Sequence, residues 1–164
     1  MPILNPRKLS ALALATVMTA SLAILIPSPV GAKHKSDAPT ATESTGSVTW
    51  STNLPQALKK AKSSQKYVLI DIYTDWCGWC KRLDQSTYPD PAVGELLNKS
   101  FICVKVNAEK GSGSAIKTKY GATGFPYIVI LNPDGSVRGQ IGGYEDAPAF
   151  CANLNQIIQQ PSTN

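Results

Sequence analysis

Two cysteines separated by two residues are the part of this sequence best suited to chemistry. Cys77 and Cys80 lie in the hexapeptide WCGWCK at 76–81. An apolar run at 67–73, rich in β-branched and aromatic residues, predicts a buried strand before the hexapeptide, and residues 82–85, without Gly or Pro, predict a helix after it. The N-terminal end of a helix favours a thiolate over a thiol. The pattern therefore predicts thiol–disulfide exchange, in which one cysteine attacks and the other resolves the mixed disulfide.

The same spacing also occurs in zinc sites and in purely structural disulfides. A zinc site needs two further ligands, yet Cys103 and Cys151 stand alone in the sequence, and the single histidine, His34, lies in a polar N-terminal stretch. We therefore expect no metal at this pair. A structural disulfide is the plainer alternative, although the strand-to-helix context is more typical of a redox-active pair.

The hexapeptide and its surroundings resemble the thioredoxin superfamily. The resemblance also rests on Asp71, six residues before Cys77, and on the segment GFP at 124–126, which enters a later predicted strand. It covers about residues 50–159. Within the superfamily, the sequence is most similar to bacterial secreted or periplasmic thioredoxin-like domains with a W-C-x-W-C-K site. The resemblance implies an α/β thioredoxin fold with a mixed central β-sheet flanked by helices on both faces.

For the site, the resemblance implies a role for each of four residues. Cys77 is the expected nucleophile and Cys80 the resolving thiol. Asp71, an acid inside an apolar run, is costly to bury unless it is used or paired, and in thioredoxins a buried acid at this offset accepts the proton of the second cysteine. Lys105 is expected beside Asp71 on a neighbouring strand, and an edge-strand lysine that reaches solvent is the equal alternative.

The same resemblance implies a substrate-binding surface around the cysteines. Pro126 is expected in the cis form and packed against the cysteine pair, and the backbone of Phe125 is expected to pair with the substrate chain as an added strand. Trp76, Gly78 and Trp79 complete the predicted surface. We expect Trp79 to be exposed and to contact a partner, and Trp76 to pack beside the first cysteine. No metal or organic cofactor is implied, only the redox-active disulfide.

The dipeptide between the cysteines leaves the direction of electron flow open. Thioredoxin has Gly-Pro there, whereas this sequence has Gly78 and Trp79, and the dipeptide is a main determinant of the reduction potential in the family. Asp71, Gly78 and the lack of an active-site histidine favour a reductase of protein disulfides. The alternatives are a disulfide oxidase or isomerase, and a redox-inactive binding module with a structural disulfide. The expected partners are protein thiols and disulfides, with a membrane electron donor or acceptor of the thiol-transfer type.

The remaining cysteines are predicted to point into the core. Cys103 lies on the strand predicted at 101–106, on the same face as Lys105, and Cys151 lies in the apolar stripe of the last predicted helix. In the thioredoxin arrangement, that helix packs on the same face of the sheet as the active-site helix. A Cys103–Cys151 disulfide is thus geometrically feasible in an exported protein, and two buried free thiols are the alternative.

The N-terminal segment predicts export. Residues 1–32 have the positive charge, apolar run and small residues of a signal peptide with cleavage near Ala32. An uncleaved anchor is the alternative, and only then do we expect the chain itself to be held at a membrane. A flexible linker is predicted at 33–47, the thioredoxin-like domain at 48–160 and a short tail at 161–164. The expected location is the periplasm, with secretion as an alternative. The net charge of +5 includes Arg7 and Lys8, so +5 − 2 = +3 remains without residues 1–32, which is too mild to indicate a nucleic-acid partner.

Overall fold

The computed structural model describes residues 47–161, so the predicted leader, nearly all of the predicted linker and most of the predicted tail lie outside the described residues. The strands in this part of the chain are β1 Trp50–Ser51, β2 Tyr67–Tyr73, β3 Phe101–Asn107, β4 Tyr127–Leu131 and β5 Val137–Gly142. The helices are α1 Leu54–Ser64, α2 Gly78–Arg82, α3 Pro91–Ser100, α4 Gly113–Lys119 and α5 Ala147–Gln159. A π-helical turn, Leu83–Thr87, continues α2.

One mixed sheet carries these strands in the order β1-β3-β2-β4-β5. β1, β3 and β2 run parallel, whereas β4 is antiparallel to β2 and β5 is antiparallel to β4. The parallel pair β2–β3 sets Asp71 directly opposite Lys105, and β4 places Ile128 on the other side of Asp71. The predicted α/β fold with a mixed central sheet is confirmed.

Different helices cover the two faces of the sheet. α1 and α4 cover one face, where Ile70 and Ile72 of β2 are buried. α3, α5 and the π-helical turn cover the other face, where Leu69 packs in one cluster with Leu83 and Leu154. Because side chains alternate along a strand, Asp71 shares this second face with Leu69. The acid therefore lies on the face that the active-site helix covers.

Three helices begin at a side-chain cap. The side chains of Asn53, Asp90 and Asp146 accept hydrogen bonds from backbone amides in the first turns of α1, α3 and α5, at 3.0, 2.9 and 3.1 Å. Each of these helices also has a proline at its first or second position, where a missing N–H is no loss. A cap of this kind contributes about 1 kcal/mol, so local sequence fixes where these helices begin.

Cys103 and Cys151 are free thiols in the structure, so the disulfide suggested between them is not formed. Both residues belong to the core cluster under α3 and α5, where Cys103 is buried on β3 and Cys151 is half-buried on α5. α5 packs on β5 and α3, and two strands, β4 and β2, separate β5 from β3 in the sheet. The position of the last helix toward the β5 edge accounts for the absence of the bond.

Candidate active site

The two cysteines of the hexapeptide form a disulfide at the start of α2. Cys77 is the N-cap of this helix, and its Sγ accepts a hydrogen bond from the backbone N–H of Cys80 at 3.0 Å. The Cα atoms of the two residues are 5.3 Å apart. When the disulfide is reduced, the same amide can stabilise a thiolate at Cys77. The strand-to-helix placement predicted from the sequence is confirmed.

Both cysteines lie below the surface, between two exposed tryptophans. Cys77 and Cys80 are each only 4% exposed, whereas Trp76 is 66% and Trp79 57% exposed. A side chain at Gly78 would meet no atom within 4 Å, so the surface is open at that position. An approaching partner therefore meets the two indoles before it reaches a sulfur.

Trp76 is more exposed than the packing expected for it beside Cys77. Its indole Nε1–H donates to Oε1 of Glu109 at 2.9 Å, and its ring meets Phe125 edge-on, with 6.0 Å between ring centroids. The ammonium group of Lys117 lies 5.6 Å from the centroid of the same Phe125 ring. The hydrogen bond to the loop between β3 and α4 holds the indole outward, which explains its exposure.

Trp79 is exposed as predicted, and its ring stacks on the loop before α5. The centroids of Trp79 and Tyr144 are 5.5 Å apart, and the guanidinium of Arg82 lies 5.9 Å from the first ring and 5.3 Å from the second. The hydroxyl groups of Tyr144 and Ser86 are 3.2 Å apart. Hydrogen bonding to Ser86, followed by that to Arg82, lowers the pKa of Tyr144. These contacts fasten the loop to the active-site helix.

The predicted substrate segment, 124–126, lies beside the same loop. The peptide bond between Phe125 and Pro126 is cis, and the carbonyl oxygen of Pro126 accepts a hydrogen bond from the backbone N–H of Gly143 at 2.9 Å. Gly143 has a φ of 87°, a conformation that favours glycine. The start of β4 is thereby joined to the loop that carries Tyr144.

On the sheet face that α2 covers, Asp71 and Lys105 form a buried ion pair. The Nζ of Lys105 donates to Oδ2 of Asp71 at 2.9 Å, so the two residues are neighbours as expected. Asp71 is 1% exposed, and this burial raises its pKa, although Lys105 partly offsets the effect. Lys105 also binds the carboxylate of Asp84. Burial by itself lowers the pKa of Lys105, but the two carboxylates outweigh it and raise that pKa.

Sequence reasoning missed two residues of this network, Asp84 and Tyr88. Asp84 follows Cys80 by four residues and Tyr88 follows it by eight, so the three lie roughly along one side of α2 and the turn that continues it. The ring centroid of Tyr88 is 5.1 Å from Nζ of Lys105. The spacing indicates that Asp84 and Tyr88 lie on the same side of the helix as Cys80. It identifies them as site residues only once the side of the helix that faces the sheet is known.

Between residues 47 and 161, no group of three or more His, Cys, Asp or Glu side chains is arranged to hold a metal ion. In the same stretch, none of the helices is both long enough and apolar enough to cross a membrane. The groups that the site does offer are a disulfide, a buried carboxylate and an ammonium group. Such groups can exchange electron pairs and protons with a partner that carries sulfur.

Comparison with known proteins identifies relatives of this chain. A model of the thioredoxin-like domain family matches residues 54–158. The thiol:disulfide interchange protein DsbD of Cronobacter sakazakii is 31% identical to this chain over 110 residues, which are 65% of this chain and 19% of that protein. The DsbD protein of Salmonella typhimurium is 33% identical over 105 residues, which are 62% of this chain and 18% of that protein. The chain thus spans less than a fifth of the length of these curated relatives.

Solved structures extend the comparison to the fold. The C-terminal domain of DsbD from Neisseria meningitidis, in its oxidised form, matches with a TM-score of 0.56 and 26% identity, over 66% of this chain and 98% of that domain. A thioredoxin from Thermus thermophilus matches with a TM-score of 0.63 and 24% identity, over 69% of this chain and 88% of that one, and shares the fold. The residues matched by the family model make up more than half of the sequence and contain the Cys77–Cys80 disulfide. The chain therefore belongs to the thioredoxin-like domain family, as its resemblance to thioredoxins had indicated.

Proposed function

We propose that this chain is an exported thiol:disulfide oxidoreductase that works through the Cys77–Cys80 couple. The observation that carries the proposal is the hydrogen bond from the amide of Cys80 to Sγ of Cys77 at the start of α2. It supports Cys77 as the attacking thiolate, because an amide donor and the positive end of a helix stabilise negative charge on sulfur. The relatives named thiol:disulfide interchange proteins support the same chemistry.

In the reducing direction, the thiolate of Cys77 attacks one sulfur of a substrate disulfide. A bond forms between these two sulfurs, and the second substrate sulfur leaves as a thiolate. Cys80 then gives its proton to Asp71 and attacks Sγ of Cys77, which closes the Cys77–Cys80 disulfide and releases the first substrate sulfur as a thiolate. The substrate gains two electrons and the dithiol loses them. Lys105, bonded to Asp71, supports the negative charge of the acid before it takes the proton.

The surface around Phe125 and Pro126 is the proposed docking site for the substrate. The backbone of Phe125 comes just before β4 and offers hydrogen-bonding groups to an extended segment. Trp76 contacts Phe125 on one side, Trp79 contacts the loop before α5 on the other, and the open surface at Gly78 leaves room between them. A protein segment whose cysteine is flanked by apolar residues fits this surface.

Reduction of protein disulfides is the direction that we favour. The buried acid Asp71 and the Gly78 position support it, because both are thioredoxin-like. A reductase needs an electron donor, for which a membrane protein of the thiol-transfer type is the proposed class. The leader-like residues 1–32 support export, with the periplasm as the proposed compartment. Oxidase or isomerase activity is the alternative within the same chemistry.

One observation favours a second candidate, a binding module whose disulfide is structural. Cys77 and Cys80 are each 4% exposed, and a shielded disulfide is slow to exchange with thiols because access limits attack on its sulfurs. In that case the exposed indoles of Trp76 and Trp79 would hold a partner without reacting with it.

The equilibrium reduction potential of the full chain distinguishes these functions. The couple would be titrated against glutathione and read by alkylation and mass, with Cys103 and Cys151 counted separately and Cys77→Ser as the control that cannot form the couple. We expect a reversible two-electron couple close to the thioredoxin value of about −270 mV. A value close to about −120 mV would make the protein a disulfide donor. If no reversible couple exists, the binding module replaces the enzyme.

A further inference from the structure

Two buried oxygen atoms, one on the proposed proton acceptor and one on a tyrosine, have no direct hydrogen-bond partner among residues 47–161. One is Oδ1 of Asp71, the oxygen that Lys105 does not bind, and the other is the hydroxyl oxygen of Tyr88. Asp71 is 1% exposed and Tyr88 is 5% exposed. Leaving both atoms unpaired in the interior is costly, because neither can turn to bulk water instead.

Tyr88 is held in place by two aromatic rings and by the lysine that binds Asp71. Its ring packs edge-on against Trp50 and against Phe150, with centroids 4.7 and 5.8 Å away. Nζ of Lys105 lies 5.1 Å from the centroid of Tyr88 and 2.9 Å from Oδ2 of Asp71. One ammonium group thus lies over the ring of Tyr88 and binds the carboxylate of Asp71, so the two side chains share a neighbour.

The electrostatic influence of the two side chains on each other agrees with this placement. Burial raises the pKa of Tyr88 well above its ordinary value, and Asp71 raises it further. Burial is also the largest influence on the pKa of Asp71 and raises it, whereas Lys105 and, to a smaller extent, Tyr88 act against burial and lower that pKa. The other titratable groups that face the pair are Lys105 and Cys103 on β3 and Asp84 on the π-helical turn. The phenol therefore stays neutral and keeps its proton as a donor.

We propose that the hydroxyl of Tyr88 is the hydrogen-bond donor for the free oxygen of Asp71, which makes Tyr88 a positioning residue for the buried acid. Because the structure shows no direct bond between the two oxygens, the phenol donates through one buried water that bridges them. With Lys105 on one oxygen and Tyr88 on the other, the plane of the carboxylate is fixed. This inference rests on the proposed function, in which Asp71 accepts the proton of Cys80. A donor on Oδ1 favours the carboxylate, so the acid remains ready to accept a proton at lower pH.

The test is the Tyr88→Phe variant of the full chain, which keeps the ring and its packing and removes only the hydroxyl. The protonation of Asp71 would be followed in the oxidised protein by infrared titration, with Asp71→Asn identifying the carboxyl band. We expect the proton affinity of Asp71 to rise about tenfold, the size that the loss of one hydrogen bond to a carboxylate corresponds to. The acidic limb of the pH profile for resolving a mixed disulfide should move to higher pH by a similar amount.

Two controls make the test specific to the pair. Tyr120→Phe removes the hydroxyl of another buried tyrosine, on the opposite face of the sheet, and should leave the Asp71 titration unchanged. When Tyr88→Phe is added to Asp71→Asn, the pH profile for resolving a mixed disulfide should not move further. An unchanged Asp71 titration in Tyr88→Phe would overturn the proposal. So would a resolution profile that Tyr88→Phe moves by the same amount whether residue 71 is Asp or Asn. Because the infrared titration needs no turnover, it tests Tyr88 even if the chain has no reversible disulfide couple.

Discussion

Asp71 is buried with only one of its two oxygens bonded directly, to Lys105, among the residues that the structure describes. Burial raises its pKa above the ordinary value of 3.8, so the folded protein binds this proton more tightly than the unfolded chain does. The contribution of this group to stability is therefore complete below pH 3.8 and is lost as the pH rises through the folded-state value. The buried carboxylate is therefore a source of instability at higher pH.

Replacing the acid by its amide should reveal both effects. We expect Asp71→Asn to be more stable than the wild type at about pH 8, because no charge is buried, and each tenfold difference in proton affinity corresponds to about 1.4 kcal/mol. Lys105 retains Asp84 as a partner in this variant, which limits the loss from the broken ion pair. The variant should also resolve mixed disulfides more slowly, because Cys80 loses its proton acceptor.

Urea unfolding of the oxidised proteins at about pH 4 and about pH 8 measures the change in stability. The exposed Glu95→Gln provides a matched loss of charge that should have little effect at either pH. A variant that is less stable than the wild type at the higher pH would contradict the direction given for the pKa of Asp71.

The resemblance to thioredoxins pointed to Asp71 and, with an exposed edge-strand lysine as the equal alternative, to Lys105. Nothing in the sequence pointed to Asp84 and Tyr88, which also contact Lys105. An acid inside the apolar run at 67–73 is conspicuous because its burial is costly, and a lysine on a strand with an inward-facing pattern is conspicuous for the same reason. Asp84 and Tyr88 are unremarkable in a helix. Only the packing of the π-helical turn on the sheet brings them to the ion pair, and the residue types carry no sign of that packing.

At the scale of elements, the loop between β3 and α4 positions the first tryptophan of the site. Glu109 accepts the hydrogen bond of the Trp76 indole. Asp75, one residue earlier in the chain, accepts a hydrogen bond from Asn107 at 2.8 Å and pairs with Lys110 at 2.6 Å. The ion pair is exposed and by itself contributes little to stability. Together, the three contacts join the segment before α2 to the end of β3 and the loop that follows it, and they fix the direction in which the indole projects.

Gly113, the first residue of α4, lies close against the end of β3. A Cβ there would overlap the carbonyl oxygen of Asn107 and lie 2.7 Å from its carbonyl carbon, so alanine requires the backbone to move. We expect Gly113→Ala to lower the free energy of unfolding by about 1–3 kcal/mol and to displace the indole N–H resonance of Trp76. Gly124→Ala is the matched control, since its Cβ would meet no atom within 4 Å. Equal stabilities of the two variants in urea would contradict the close approach.

Elements with strong local signals were the predictable ones. Three helix caps and the turn at 132–135 depend on residue types within a few positions, so local sequence is enough to indicate them. The short strand β1 at Trp50–Ser51 is different, because pairing with β3 decides its position. The π-helical turn was not predicted, because its bond from the N–H of Tyr88 to the carbonyl of Leu83, 3.0 Å long, has no local sequence signal.

At the scale of the whole domain, only the sheet brings the parts of the site together. β2 carries Asp71 and leads to Cys77, β3 contributes Lys105 from 34 residues further along the chain, and β4 begins directly after Pro126. The strand order places β3 and β4 on either side of β2. Pairings between distant segments leave no mark in local periodicity, so the resemblance to thioredoxins was needed to predict them. The same resemblance also allowed a Cys103–Cys151 disulfide that the structure does not contain.

The two free thiols provide a measure of how the domain opens. Cys103 is 4% exposed on β3, and burial raises its pKa to about 12. Cys151 is half-buried on α5. Because the thiolate is the form that reacts with alkylating agents, Cys151 should react in the native protein, whereas Cys103 should react only when β3 separates from its neighbours.

The rates at which Cys103 and Cys151 are alkylated can be measured on the oxidised full chain by mass spectrometry. The variants Cys103→Ser and Cys151→Ser show which rate belongs to which thiol. As urea is added, the Cys103 rate should follow the free energy of unfolding, because a strand paired on both sides is exposed only by global opening. The Cys151 rate should depend on urea far less, since fraying of the last helix is enough to expose it. Oxidised protein that shows no reactive thiol in denaturant would contradict this picture, because Cys103 and Cys151 would then be bonded and α5 would have to lie closer to β3.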